Sequence, residues 1–133
     1  AKRLNWRELP KEEWWVEGFC VKHGSRHWIY TGEIQYMYYP VCADLPTKYE
    51  VEEETVCEYT GLSDKNGRKI FERDILRFED CSNYPVVWDS DYCAFGSCWY
   101  SDFDHLSKYR SIKIEVVGNI FDNPELLEGV EAE

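Results

Sequence analysis

Residues 54–76 read ETVCEYTGLSDKNGRKIFERDIL, and this stretch decides the fold of the chain. The residues from Val56 to Thr60 include Val, Tyr and Thr, which suit a half-buried, pleated strand. In the following Asp64-Lys-Asn-Gly67, Asp64 can bond its own backbone and Gly67 accepts a positive φ. We expect a type I turn followed by a left-handed residue. The stretch therefore predicts two strands joined by a tight loop.

The segment after this loop, from Lys69 to Phe78, begins a second apolar run. A helix could include Ile70 to Leu76, but the β-branched and aromatic content favours a strand. The same alternation indicates further strands along the chain. These are Trp14–Val21 and His27–Thr31 as a hairpin across Gly24 and Ser25, Ile34–Val41, the pair Pro85–Trp88 and Tyr92–Phe95 turning on Asp89–Asp91, and Ile112–Val117.

The remaining segments are expected to be irregular. Residues 1–12 form an N-terminal arm, Ala43–Lys48 a connecting loop, and Pro124–Glu128 one helical turn capped by Asn123. Residues 129–133 are expected to fray. With 133 residues, the chain is most simply one domain, 1–133. We predict a mainly β, small antiparallel fold with one or two short helical turns.

The composition is acidic and rich in aromatic residues. The 22 aromatic side chains make up 17% of the chain, and the net charge is −11. Large rings can fill a tightly curved sheet, or they can lie at the surface and contact partners. The acidic charge opposes nucleic-acid binding, which depends on neutralising phosphates. It serves solubility, or it mimics a polyanion that occupies a partner's basic groove.

Residues 1–48 are nearly neutral, with 7 basic and 6 acidic side chains. An alternative function is therefore nucleic-acid binding by a small barrel, because such folds often carry stacking aromatic rings. The run Glu50–Glu54 is expected to be a solvated edge rather than a ligand cluster. The basic residues available for a nucleic-acid strip are Lys2, Arg3, Arg7, Lys11, Lys22 and Arg26.

No pattern of catalytic or cofactor-binding residues stands out. The six cysteines include no Cys-x-x-Cys pair, and no apolar signal segment precedes them. We therefore expect reduced thiols in a cytoplasm, with no metal and no cofactor. Asp102, Asp104 and His105 could form a general-base or metal cluster, which leaves an enzyme as a less favoured alternative. Capping of a short helix that begins after Ser101, or plain solvation at the surface, explains them more simply.

Residues 54–76 resemble the signature of YopX-type proteins, in which Glu-Thr-Val leads to Tyr-Thr-Gly-Leu, Asp-Lys-Asn-Gly and an Asp-Ile strand. Residues 115–127, EVVGNIFDNPELL, are similar to the closing motif of that family, and Glu13–Gly18 is compatible with its Trp-Val-x-Gly strand. The motif residues, for which we expect structural roles, are Thr60, Gly61, Asp64, Asn66, Gly67, Asp74, Gly118, Asn119, Asn123 and Pro124.

The resemblance implies a compact, SH3-like β-barrel encoded by a phage or prophage and acting in the bacterial cytoplasm. It implies no activity. Together with the absent catalytic pattern, it favours a non-enzymatic module that binds a host or phage protein through an acidic, aromatic surface, and a homo-oligomer is also compatible with it. Arg73 and Cys57 stand where the family usually has glycine. At Arg73 we expect a different local turn rather than a positive φ.

Overall fold

The computed structural model describes residues 1–31, 47–78, 81–91, 93–99, 102–105 and 114–127. In these ranges the chain is mainly β, and every strand pair is antiparallel. The chain divides into two compact units, Ala1–Val56 and Cys57–Glu133. The prediction of a single domain over 1–133 stays a prediction.

The first unit is built on a three-stranded sheet in the order β1-β2-β3. The predicted hairpin is confirmed, although β1 begins five residues later than expected. A Cβ on Gly18 would lie 2.2 Å from the Tyr30 carbonyl oxygen, so only glycine fits where the chain enters this sheet. The strands are β1 (Phe19–His23), β2 (Arg26–Thr31) and β3 (Thr47–Val51).

The loop predicted over Ala43–Lys48 is wrong at its C-terminal end. Thr47 and Lys48 belong to β3 and pair with Thr31 and Tyr30 of β2. The run Glu50–Glu54 obscured this strand because glutamate is a weak strand former. Contacts with the neighbouring strand override that preference, because the Arg26 guanidinium donates two hydrogen bonds to the Glu50 carboxylate. The predicted strand Ile34–Val41 and the rest of that loop lie outside the described residues.

The N-terminal arm runs along β3. Lys2 forms an isolated antiparallel β-bridge with Trp15, and Arg3 forms one with Val51. The Leu4 amide donates a hydrogen bond to the Glu50 carbonyl at 2.8 Å. These backbone bonds hold the arm beside the sheet, although its sequence is typical of a polar surface segment. The arm also contains two short 3-10 turns, Trp6–Glu8 and Lys11–Glu13.

The second unit contains eight strands among the described residues, in three small sheets. The sheet orders are β4-β5, β11-β6-β7 and β10-β9-β8. No closed barrel is found in the described part of the chain, and the predicted barrel stays a prediction. The strands are β4 (Tyr59–Ser63), β5 (Lys69–Phe71), β6 (Asp74–Arg77), β7 (Asn83–Pro85), β8 (Val87–Asp89), β9 (Ala94–Trp99), β10 (Asp102–His105) and β11 (Glu115–Asn119).

The hairpin at Asp64–Gly67 is confirmed. The Gly67 amide donates to the Asp64 carbonyl at 3.0 Å, and Gly67 has a φ of +79°. The following residues are strand, as favoured, and not helix. The segment is nevertheless two strands, because the chain turns between Phe71 and Asp74 with Arg73 at a φ of +69°. The expectation that Arg73 avoids a positive φ is therefore wrong.

Asp102–His105 is also not a helix start, contrary to the prediction. These residues form β10 and pair with β9 in a register that sets Asp102 opposite Trp99 and His105 opposite Gly96. Pairing with a neighbouring strand overrides the local preference of Ser and Asp for helix caps. Their side chains lie outside the described part, so the enzyme alternative stays a prediction.

The pairing of β8 with β9 confirms the second predicted hairpin, but its bounds differ from the prediction. Pro85 ends β7 and pairs with Ile75, and Asp89 pairs with Ala94 in place of lying in the turn. β11 pairs with β6 as expected for a closing strand, and a 3-10 turn at Pro124–Leu127 matches the predicted helical turn. Residues 129–133 lie outside the described part. One apolar cluster fills this unit: Ile70, Leu76, Phe78, Val86, Ile114 and Val116, with Tyr84 and Phe95 against it.

Candidate protein-interaction groove

The loop of the β4–β5 hairpin is fixed to β11 by the carboxylate of Asp64. One oxygen accepts the amides of Asn66 and Arg68, and the other accepts the amide of Val116, all at 2.9 Å. Asp64 is only 4% exposed. Burial acts to raise the pKa of its carboxyl, but the three N–H donors outweigh burial and hold that pKa below its usual value. Asp64 is thus a structural anchor.

The turn between β5 and β6 is held by hydrogen bonds that also fix the strained residue. The Phe71 amide donates to the carboxylate of Asp74 at 2.9 Å, and the Arg73 amide donates to the Val86 carbonyl at 2.8 Å. Left-handed backbone costs a non-glycine residue about 1 kcal/mol, which these bonds offset. The turn places Glu72 beside Glu58, because the Glu72 amide donates to the Glu58 carbonyl at 2.9 Å.

Two ionisable side chains close to this turn are partly buried. Burial raises the pKa of Asp74 to about 6, although the Phe71 amide acts in the opposite direction. Burial also raises the pKa of the Cys57 thiol. A thiol of that kind stays protonated near neutral pH and is a poor nucleophile. We therefore interpret Asp74 and Cys57 as part of the structural framework of this turn.

Beside this framework lies an open groove of about 370 Å³, lined by five side chains. We call it the aromatic groove and define it by Glu58, Tyr59, Glu72, Trp88 and Phe95. Trp88 is 48% exposed and Tyr59 is 43% exposed. Such large exposed rings are informative because they mark contact surfaces more often than isolated aliphatic residues do.

Strand pairing and ring packing fix the rings of the aromatic groove. Trp88 lies opposite Phe95 across β8 and β9, with the ring centroids 4.9 Å apart in an edge-to-face arrangement. Tyr59 lies opposite Phe71 across β4 and β5, with centroids 5.4 Å apart. The groove therefore combines rings of limited freedom with the two carboxylates of Glu58 and Glu72. Rings and carboxylates together are the chemistry that recognises cations.

A second cleft, of about 380 Å³, lies in the first unit and includes the run from Glu50 to Glu54. Part of this cleft is already occupied by Arg26, one of the residues that line it. Arg26 donates two hydrogen bonds to the Glu50 carboxylate, at 2.7 and 3.0 Å, and these bonds lower the pKa of Glu50. The Trp6 indole donates to Glu52. This acidic run is thus partly satisfied within the fold, rather than simply a solvated edge.

Four of the six residues proposed for a nucleic-acid strip have contacts inside the first unit. The Lys2 ammonium lies over Trp6, and the guanidinium groups of Arg3, Arg7 and Arg26 lie over Tyr49, Trp6 and Trp28. Arg26 is also paired with a carboxylate, as described above. These contacts reduce the charge that the strip could offer to phosphates.

The family-motif residues of the second unit lie in strands β4, β6 and β11 and in the turns next to them. The Thr60 hydroxyl donates to the Ile70 carbonyl at 2.7 Å, and Gly61 has a φ of +85° within β4. Asn123 accepts the amide of Asn119 at 3.3 Å, and a Cβ on Gly118 would lie 2.4 Å from that same Asn123 oxygen. Gly118 is thus needed for close approach, at a bulge in β11, rather than for a turn.

Asn66 and Pro124 complete the predicted set. Asn66 lies in the hairpin loop with its amide bonded to Asp64, and Pro124 begins the 3-10 turn. None of the ten motif residues lines the aromatic groove. Sequence reasoning missed the groove. The one available signal was the alternation that sets Tyr59 on the exposed side of β4.

Searches for other kinds of site give negative results in the described ranges. No group of three or more His, Cys, Asp and Glu side chains there could hold a metal ion. Among the described cysteines, Cys20, Cys57, Cys81 and Cys93 are free thiols. No helix in these ranges is long and apolar enough to cross a membrane.

Comparison with known proteins places the chain in a family without adding an activity. A search of curated proteins finds no match. A family model described as YopX protein matches residues 20–128, which include both of the motifs described above. The chain therefore belongs to the YopX protein family.

Proposed function

We propose that this protein is a non-enzymatic protein-interaction module that docks its partner at the aromatic groove. The observation that carries the proposal is the pairing of exposed rings, Trp88 and Tyr59, with two carboxylates in one open groove. The phage or prophage origin that the resemblance to YopX-type proteins implies supports an accessory role in a bacterial cytoplasm. The partner is a host or phage protein.

Charge supports the same proposal. The sequence from Cys57 to Glu133 has 16 acidic and 8 basic side chains, a net charge of −8. A surface of this sign attracts basic partners and repels nucleic acid, and the attraction weakens as salt rises. A partner that normally binds a polyanion would be attracted by the negative charge of this unit.

The proposal is tested by affinity capture from a bacterial lysate with the full chain as bait. Three baits are compared: the wild type, Trp88→Leu, and the control Phe19→Leu, which changes another exposed ring that is 56% exposed. We expect a protein that is retained by the wild type and the control, is lost with Trp88→Leu, and dissociates as salt rises. Retention that is equal on all three baits, or no retained protein, contradicts the proposal.

A further inference from the structure

We infer that the aromatic groove binds an arginine side chain of the partner. This inference rests on the proposed function and specifies its chemistry. The groove is lined by the aromatic residues Tyr59, Trp88 and Phe95 together with the acidic residues Glu58 and Glu72. Rings favour a cation through their quadrupole, and carboxylates favour it through charge and hydrogen bonding.

The first unit contains the same combination already filled by an arginine. The Arg26 guanidinium lies 4.8 Å from the Trp28 ring centroid and donates two hydrogen bonds to Glu50, at 2.7 and 3.0 Å. One tryptophan and one glutamate thus hold one arginine in this chain. The aromatic groove provides a tryptophan with two glutamates.

No arginine of the described residues fills the aromatic groove in that way. Neither Glu58 nor Glu72 takes part in the two salt bridges Arg26–Glu50 and Lys65–Glu115 of the described part. Among the described residues, the Lys69 ammonium lies 5.5 Å from the Tyr59 centroid. Glu58 and Glu72 give the lining of the groove two negative charges, which complement a positive ligand.

Arginine fits this site better than lysine. Its guanidinium is planar, so it can stack on a ring while it donates in-plane hydrogen bonds to carboxylates. It is also less strongly hydrated than an ammonium group, which lowers the cost of leaving water. In the first unit both kinds of cation lie over rings: arginines over Tyr49 and Trp6 at 4.2 and 4.5 Å, and lysines over Trp6 and Trp28 at 3.8 and 4.8 Å. The preference for arginine therefore rests on its planar hydrogen-bonding geometry and weaker hydration.

The test is a titration of the full-length protein with the peptide acetyl-Gly-Gly-Arg-Gly-Gly-amide at low ionic strength, followed by NMR. The matched peptide contains citrulline, which has nearly the shape of arginine without the charge. We expect the arginine peptide to bind about tenfold more tightly than the citrulline peptide. Equal affinity for the two peptides, or no binding of the arginine peptide, overturns the inference.

Charge variants locate the site. Glu58→Gln combined with Glu72→Gln should weaken binding of the arginine peptide by about tenfold. The control Glu125→Gln alters an exposed carboxylate of the same unit, and it should leave the affinity unchanged. The NMR spectrum of each variant reports directly whether its fold is intact. Undiminished binding by the folded double variant also overturns the inference.

The two proposals fail in different ways. If a lysate partner depends on Trp88 but the arginine peptide does not bind, the interaction module stands and the arginine ligand is wrong. If the peptide binds at the groove but no captured protein depends on Trp88, the ligand chemistry stands and the docking function is wrong.

Discussion

Two aromatic clusters, one in each unit, differ in what faces their rings. In the first unit the Lys2 ammonium lies 3.8, 4.7 and 5.8 Å from the ring centroids of Trp6, Trp14 and Trp15, and Lys2 is only 5% exposed. We call this cluster the tryptophan cage. In the second unit the rings of the aromatic groove face solvent beside two carboxylates, with Trp88 48% exposed.

The difference separates a structural use of aromatic rings from a binding use. A buried ammonium loses hydration, and ring faces compensate for part of that loss. The tryptophan cage therefore stabilises the place where the N-terminal arm joins the sheet. The aromatic groove is lined by two glutamates, and its lysine, Lys69, lies farther from a ring, at 5.5 Å from the Tyr59 centroid, so we expect its rings and charges to be available to a ligand. Changes in the first cluster should alter stability, and changes in the second should alter binding.

The largest expected effect comes from the anchor that supports the aromatic groove. Asp64→Asn replaces one acceptor oxygen with an NH₂ group, which leaves at least one of the three N–H donors without its partner. We expect the free energy of unfolding to fall by about 3 kcal/mol. Denaturant unfolding measures this loss, with the exposed Asp91→Asn as the control. A loss as small as that of the control would show that Asp64 does not anchor the hairpin.

Removal of the cage cation should have the next largest effect. Lys2→Met keeps an unbranched side chain but removes the ammonium that faces the three tryptophan rings. We expect a loss of about 2 kcal/mol in the free energy of unfolding. The exposed Lys11→Met serves as the control for loss of one positive charge. Unchanged or greater stability of Lys2→Met would mean that the ammonium contributes nothing beyond packing of its stem.

A smaller effect, dependent on pH, is expected at Asp74. Its folded pKa of about 6 lies above the ordinary aspartate value, so the folded state binds a proton more tightly than the unfolded state does. The contribution of Asp74 to stability is therefore greatest at low pH and is lost as pH rises through about 6. Asp74→Asn should be more stable than the wild type at pH 7 and show little difference near pH 4.

Unfolding curves over this pH range measure the effect, with Asp91→Asn as the charge-matched control. If the difference between Asp74→Asn and the wild type does not change with pH, burial of the Asp74 carboxyl does not control its titration.

The smallest change in stability is expected in the aromatic groove itself. Trp88→Leu removes a ring that is nearly half exposed, so the free energy of unfolding should change by less than about 0.5 kcal/mol. Thermal unfolding tests this directly. A large loss of stability would contradict the assignment of Trp88 to a binding surface and would make it part of the core.

The sequence predicted features whose causes are local. The hairpin at Asp64–Gly67 was predictable because its turn depends on side chains within a few residues of one another. The hairpin that contains Trp88 and Phe95 followed from alternation around one short loop, although the register that sets these two residues opposite each other did not. Both predictions required no knowledge of distant partners.

Features that depend on distant partners were missed. The strand β3 is specified by its pairing with β2 and by the Arg26–Glu50 contact, neither of which is visible in the glutamate run. Arg73 adopts a positive φ because backbone bonds to Val86 and Ile120 hold it there. The aromatic groove brings Tyr59 near Trp88, which is far away in the sequence, and alternation cannot indicate that.

The difference between the two clusters is tested most directly by NMR of the tryptophan indole N–H groups during titration with acetyl-Gly-Gly-Arg-Gly-Gly-amide. The chain has six tryptophans, so one spectrum can follow the tryptophan cage and the aromatic groove together. We expect the Trp88 signal to move with added peptide while the signals of Trp6, Trp14 and Trp15 stay in place. Movement of the cage signals with a stationary Trp88 would contradict the assignment of binding to the groove.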